Sequence, residues 1–309
     1  MNFKQLEYFV HVAELGSFSK AALVLHIAQP ALSRQVRALE VDLHETLLLR
    51  NGRGVVLTEA GQRLYEHATG ILQAVAAAQG DMGASRDLPT GRITVGLPPT
   101  LSRQLTLPLI DAFQRRCPQA RLAIVEGLSS HIGEWISTGR VDLGLVYSPE
   151  AQPALEITPV IEEPLCLVSL AASGAKPASD QAVPLADLPN YPLIVPERGH
   201  SIRRLLENQA GLAGVRLQIV WEVSSVASII DLVHAGHGHA VLHASAVRGR
   251  ARADELQVRA LVEPRLATVL CQVSNAHKRP GPLQRQTAQL LTELARGITA
   301  GSAAISQPG

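Results

Sequence analysis

Gln29, Ser33, Arg34 and Arg37 lie within nine residues of one another, and each can donate hydrogen bonds to phosphate oxygens or to base edges. Interleaved with them are Leu32, Val36, Leu39 and Leu43, spaced four, three and four, which is the period of a helix that buries one face and leaves the other available. Pro30 stands in the first turn of that helix, where a missing N–H is tolerated. Further on, Arg50 and Arg53 flank Asn51-Gly52, a strong short hairpin signal, so both arginines ride on a small wing.

A second set of residues suits a small ligand. Gly96-Leu97-Pro98-Pro99-Thr100-Leu101-Ser102 reads as a strand-to-helix turn, which puts Thr100 and Ser102 at a helix N-terminus where free amides and hydroxyls hold an oxyanion. Glu197-Arg198-Gly199-His200-Ser201 has the same character later in the chain, with His200 and Ser201 at the start of the next helix. His234, His237, His239 and His243 are dense enough to raise a metal site. No cysteine accompanies them, and a strand over 239–243 puts His239 and His243 on one face without His237. They read as a polar loop near a cleft, and no metal or cofactor is expected. HExxH, GxSxG, a P-loop and a GxGxxG after a strand are all absent, so no enzyme is expected either.

The elements that must position these residues follow from length and pattern. The 309 residues exceed one small module, and 46% hydrophobic content with 18% charged residues supports two or three cores. The net charge of +1 gives no molecule-wide field, and residues 1–58 hold six Lys/Arg against five Asp/Glu, so any contact with a polyanion depends on local placement. Cys117, Cys166 and Cys271 form no CxxC pair and read as buried thiols in a reducing compartment. With no secretory leader and no run of about 18 apolar residues, a cytoplasmic protein without a membrane partner is expected.

Leu6, Phe9, Val10 and Ala13 mark a first helix ending before Gly16, and Ser19, preceded by Phe18, is placed to cap a second that runs to about Leu25. Two short helices and a third with a donor-rich face, followed by a wing, make a winged helix-turn-helix over 1–58. Thr58 caps a long helix in which Leu64, Ala68, Ile71, Val75, Ala78 and Met82 recur at four, three, four, three and four. This seam over 59–90 is read as a dimerisation helix, with packing against its own effector domain as the alternative. Strands and helices alternate from 91 to 309 and imply parallel sheets in two α/β lobes, about 91–163 with 266–300 and about 164–265. Two crossings between the lobes leave a cleft.

AALVLHIAQPALSRQVRALEVDL and LLLRNGRGVVLTEAGQRL together resemble the N-terminal signature of LysR-type transcriptional regulators. The resemblance implies a winged helix-turn-helix, a linker helix and a two-lobed effector domain like a type II periplasmic binding protein. It also implies a double-stranded DNA partner with an interrupted inverted repeat, a dimer or tetramer, a small polar or anionic effector, and RNA polymerase as a further partner. Effector contacts are implied at the turns named above, with Ser129 and Tyr147 nearby. Ala28 departs from a usual Ser and removes one phosphate contact or cap, His44 replaces a usual Gly, Leu48 a usual Phe, and Leu242-His243 a usual Leu-Pro. The alternative, a cytoplasmic solute-binding or scaffold protein, explains the lobes but leaves residues 1–58 without a purpose.

Overall fold

Helix α1 (Phe3–Leu15) opens with a capping box, in which the Gln5 amide donates to Asn2 Oδ1 at 3.0 Å and the Asn2 amide to Gln5 Oε1 at 2.8 Å. It ends at Gly16, whose φ of 58° suits a residue without Cβ. In this computed structural model, which describes residues 1–52, 54–83, 89–171, 182–248 and 252–300, helix α2 (Phe18–Val24) is capped by Ser17, not Ser19. The Lys20 amide donates to the Ser17 hydroxyl, and Phe18 is thereby the first helical residue. Helix α3 (Gln29–Leu43) starts after Ala28, which supplies no side-chain cap, and stops at His44 in the left-handed region, where a glycine would be at ease.

The wing is β1 (Leu48–Asn51) against β2 (Gly54–Leu57), with Asn51 paired to Gly54, so the turn falls one residue later than an Asn-Gly centre. A Cβ on Gly54 would lie 2.5 Å from the Gly16 carbonyl, which explains the glycine there. The Gly61 amide donates to Thr58 Oγ1 at 2.9 Å, the expected cap of α4 (Glu59–Gly83). Leu6, Phe9, Val12, Leu32, Val36, Leu39 and Ala68 share one core, so the first turns of α4 belong to the same packed unit as α1–α3.

The remainder holds two lobes. In the first, β3 (Gly91–Leu97) lies between β4 (Ala120–Glu126) and β5 (Leu143–Tyr147), parallel to both. Helices α5 (Pro99–Arg116) and α6 (Ser129–Ser137) make the crossovers. Strand β6 (Leu155–Leu170) then runs sixteen residues through both lobes. The second lobe adds β7 (Val183–Pro184), β8 (Leu193–Val195), α7 (Ser201–Leu212), β9 (Ile219–Glu222), α8 (Val226–His234), β10 (Ala240–His243), α9 (Ala244–Val247) and β11 (Leu256–Val262). Strand β12 (Ala267–Asn275) and helix α10 (Pro282–Ala300) return to the first. The expectation of purely parallel sheets is corrected. Strand β12 is antiparallel to β5 and β6, and β10 and β11 are antiparallel to β6, because a single strand that serves both lobes must be met by returning chains.

Candidate functional site

On α3, Leu32, Val36 and Leu39 are fully buried, while Arg34 and Arg37 are exposed and Gln29 and Ser33 half-buried beside exposed Pro30. Gln29, Ser33 and Arg37 follow at intervals of four, so they form one ridge. Arg50 leaves the wing to donate from Nη2 to Ser33 Oγ at 3.1 Å, with its guanidinium 4.8 Å from the centre of the Phe18 ring. The wing and α3 therefore present a joint surface. Arg53 lies outside the described residues.

The seam on α4 divides. Ala68 is fully buried in the core beneath α1–α3 and Leu64 packs on the same core, so these two are corrected from partner contacts to intramolecular ones. Ile71 is exposed, Val75 half-buried and Ala78 exposed, while the side chain of Met82 lies outside what is described.

Between the lobes is a cavity of ≈ 330 Å³. Four helices begin at its wall: α5 with Pro99 and Thr100, α6 with Ser129, α7 with Ser201 and α8 with Val226. Their first-turn amides carry the positive ends of the helix dipoles. Arg103 and Arg248 add full charges, and no Asp or Glu stands among the described lining residues. Such a wall favours an anion. Pro98, Leu128, Ile202 and Ala246 supply apolar surface beside it.

Thr100, Ser129, Tyr147, His200 and Ser201 all line this cavity; Ser102 does not. Two positions after Thr100 on a helix is the opposite side, and Ser102 is buried in the lobe with its Oγ 3.2 Å from Thr106 Oγ1. The positions one turn from Thr100, Arg103 and Gln104, were missed although helix periodicity points to them. Gln104 Nε2 also donates to the Ser245 carbonyl across the cleft at 2.8 Å, and Arg204 pairs with Glu150 at 3.1 Å on its other side.

The floor is polar and buried. The Tyr147 hydroxyl donates to Glu163 Oε2 at 2.6 Å, and burial, reinforced by that carboxylate, holds the phenol well above its usual pKa. The Tyr147 ring stacks on His243 with centres 4.6 Å apart, and His243 Nε2 lies 2.7 Å from Thr268 Oγ1. Glu163 and Thr268 are themselves paired between β6 and β12. His243 thus belongs to the cleft floor rather than to a histidine cluster. His239 instead meets Ser169 at 2.7 Å and turns edge-on to Tyr191. Among the described residues, no three metal-binding side chains converge.

His200 caps α7 by accepting from the Ile202 amide at its Nδ1, which requires that nitrogen to be unprotonated. Burial, with His243 as a lesser cause, lowers its pKa from 6.5 to about 4. A base depressed on folding takes up protons in the unfolded chain first, so stability is present above pH 6.5 and lost as pH falls towards 4. The expected loss across that window is on the order of 3 kcal/mol, absent in His200→Asn, and acid titration followed by fluorescence measures it.

The family model "Bacterial regulatory helix-turn-helix protein, lysR family" matches residues 3–62, and "LysR substrate binding domain" matches residues 86–296. The fold and the cleft together define a DNA-binding transcriptional regulator with an effector-binding domain, and the chain belongs to the LysR family. It is 32% identical over 249 residues to the nitrogen assimilation regulatory protein nac of Escherichia coli (strain K12), covering 80% of each chain. It is 28% identical over 297 residues to the hydrogen peroxide-inducible genes activator of Escherichia coli O157:H7, covering 96% of this chain and 95% of the relative. The crystal structure of full-length CbnR complexed with its target DNA is similar with a TM-score of 0.69 and 26% identity, covering 95% of this chain and 100% of that one. These relatives are regulators, not enzymes, and the solute-binding alternative is set aside with them. No helix among the described residues is long and apolar enough to cross a membrane.

Proposed function

We propose that this regulator acts in the cytoplasm as a dimer or tetramer on an interrupted inverted repeat, and that a small organic anion between the lobes sets its activity. Residues 1–58 bind DNA, 59–90 form the linker and dimerisation helix, and 91–309 read the effector. Gln29, Ser33, Arg34 and Arg37 meet bases and phosphates, with Arg50 and Arg53 on the backbone and Pro30 fixing the first turn. The observation that carries the effector class is the convergence of four helix N-termini and two arginines on a cavity lined by no described carboxylate. RNA polymerase is the further partner where the DNA-bound regulator activates.

One relative is by name a hydrogen peroxide-inducible genes activator. The thiols here argue against peroxide as the signal. Burial raises the pKa of Cys117, Cys166 and Cys271, that of Cys166 to about 11, whereas reactive thiols are accessible and acidic.

The test is selection of bound fragments from genomic DNA by the full chain, repeated with small carboxylates added. Enrichment of interrupted inverted repeats, altered by one of the acids, is expected; enrichment of no sequence at all overturns the DNA reading. The exposed part of the α4 seam carries a separate prediction. Ile71→Asp places an unpaired charge between two chains and should weaken association at least about 30-fold, which sedimentation measures. Unchanged mass would show that α4 does not join the protomers.

A further inference from the structure

Gly70 of α4 is buried, and a Cβ there would lie 2.0 Å from the Thr138 carbonyl oxygen. Gly139, at a φ of 79°, faces it so closely that its own Cβ would meet the Gly70 Cα at 3.4 Å. Backbone therefore rests on backbone, with no side chain between the linker helix and the turn that ends α6. Arg140 follows, stacked on Trp135 of α6 at 4.5 Å. Its charge is felt at Tyr65 of α4, whose hydroxyl donates to Glu14 of α1 at 3.1 Å.

The other end of α6 is in the cleft. Leu128 and Ser129 line the cavity, and Ser129 Oγ accepts from the Tyr147 amide at 3.0 Å. Between the ends, Ile132 sits where Cβ atoms on Gly96 and Gly144 would be, 2.9 and 2.6 Å away. Asn275 Nδ2 donates to the Ile136 carbonyl at 3.2 Å near the far end. Nine residues of helix span about 13 Å, held at both ends and packed without slack along the middle.

We propose that α6 is the mechanical link between the effector cavity and the DNA-binding unit, keyed into the linker helix at Gly70 by the turn at Thr138–Gly139. The proposal rests on the effector reading of the cleft and adds how that site is heard elsewhere. A contact made only of backbone has little compliance, so a shift of α6 below 1 Å is passed to α4, which shares its core with α1–α3. Coupling of this kind is demonstrated only when a change at one end is felt at the other through the joint.

The experiment is hydrogen exchange on the full chain, without DNA and without effector. Ser129→Ala frees the N-terminus of α6, and Leu128→Trp fills the cavity at the same place. Each should change amide exchange over residues 66–74 of α4 by at least about twofold. Gly70→Ala, which must lift α4 off the Thr138 carbonyl, should abolish that response, and Arg140→Ala, which adds no atom, should reduce it. Exchange over 66–74 that ignores both cleft variants, or responds equally in the Gly70→Ala background, overturns the link. The functional reading fails by a different result, the native chain selecting no DNA sequence.

Discussion

Gln29→Ala and Arg34→Ala should each remove about 1–3 kcal/mol of discrimination between the selected operator and random DNA, up to about a hundredfold, while random-sequence binding changes little. Gln29 is the first residue of α3 and Arg34 lies five further on, so both sit in the half that a recognition helix presents to base edges. Neither supports the core, because Leu32, Val36 and Leu39 do that from the other side, and replacing an exposed or half-buried side chain there costs about 0.5 kcal/mol or less of stability. Any large loss is therefore a loss at the interface. Arg53→Ala is the contrasting variant: without its charge the wing holds the DNA backbone less tightly, which should weaken selected and random DNA alike and lower the salt slope by roughly one. Titrations of a labelled operator and a scrambled duplex over a range of salt separate the two behaviours. Equal losses on both duplexes for Gln29→Ala and Arg34→Ala would remove α3 from base readout.

That contrast is legible in the sequence because the apolar spacing of α3 is unbroken and each polar residue falls cleanly on the other face. Elsewhere, the legible pattern is local and the deciding contact is not. Ser19 looks able to cap α2 from its type and place, yet the Lys20 amide donates to Ser17, just after the point where Gly54 closely approaches Gly16. The α4 heptad is real, yet its first two positions serve the core under α1–α3, because a helix leaving a small domain must cover that domain's open side before it can meet anything else. Ser102 and Thr100 look equivalent in a turn, and the helical rotation between them sends one into the lobe and the other into the cleft. In the second lobe, β10 and β11 are short and weakly patterned. Their four and seven residues both pair with the far half of β6, a partner more than 70 residues away in the chain from either, and β11 is met on its other side by β7. The cleft floor has the same origin: Tyr147, Glu163, His243 and Thr268 come from four different strands, and no spacing rule joins them.

Tyr147→Phe should destabilise the effector-binding domain by about 3 kcal/mol, far more than the loss of one surface hydroxyl, because it strands a buried carboxylate. Glu163 is only 3% exposed, and the Tyr147 hydroxyl at 2.6 Å is its close donor. Glu163→Gln is the control. It removes the charge while leaving a carbonyl oxygen to accept from the phenol, so its cost should stay near or below about 1 kcal/mol, and adding it to Tyr147→Phe should recover part of the loss. Urea unfolding followed by tryptophan fluorescence reads both lobes, since Trp135 belongs to α6 and Trp221 to β9. The effect also reaches the ligand. The Tyr147 ring is the wall of the cavity and stacks on His243, and each ring is held by one of the paired residues Glu163 and Thr268 where the chain crosses between lobes. Once the phenol no longer ties its ring to β6, the stack that bridges the lobes loses one of its two anchors. Affinity for an anion in the cleft should then fall together with stability in Tyr147→Phe, yet survive in Glu163→Gln. If Tyr147→Phe instead proves as stable as the native chain, the carboxylate has another partner and the floor is not built around this pair.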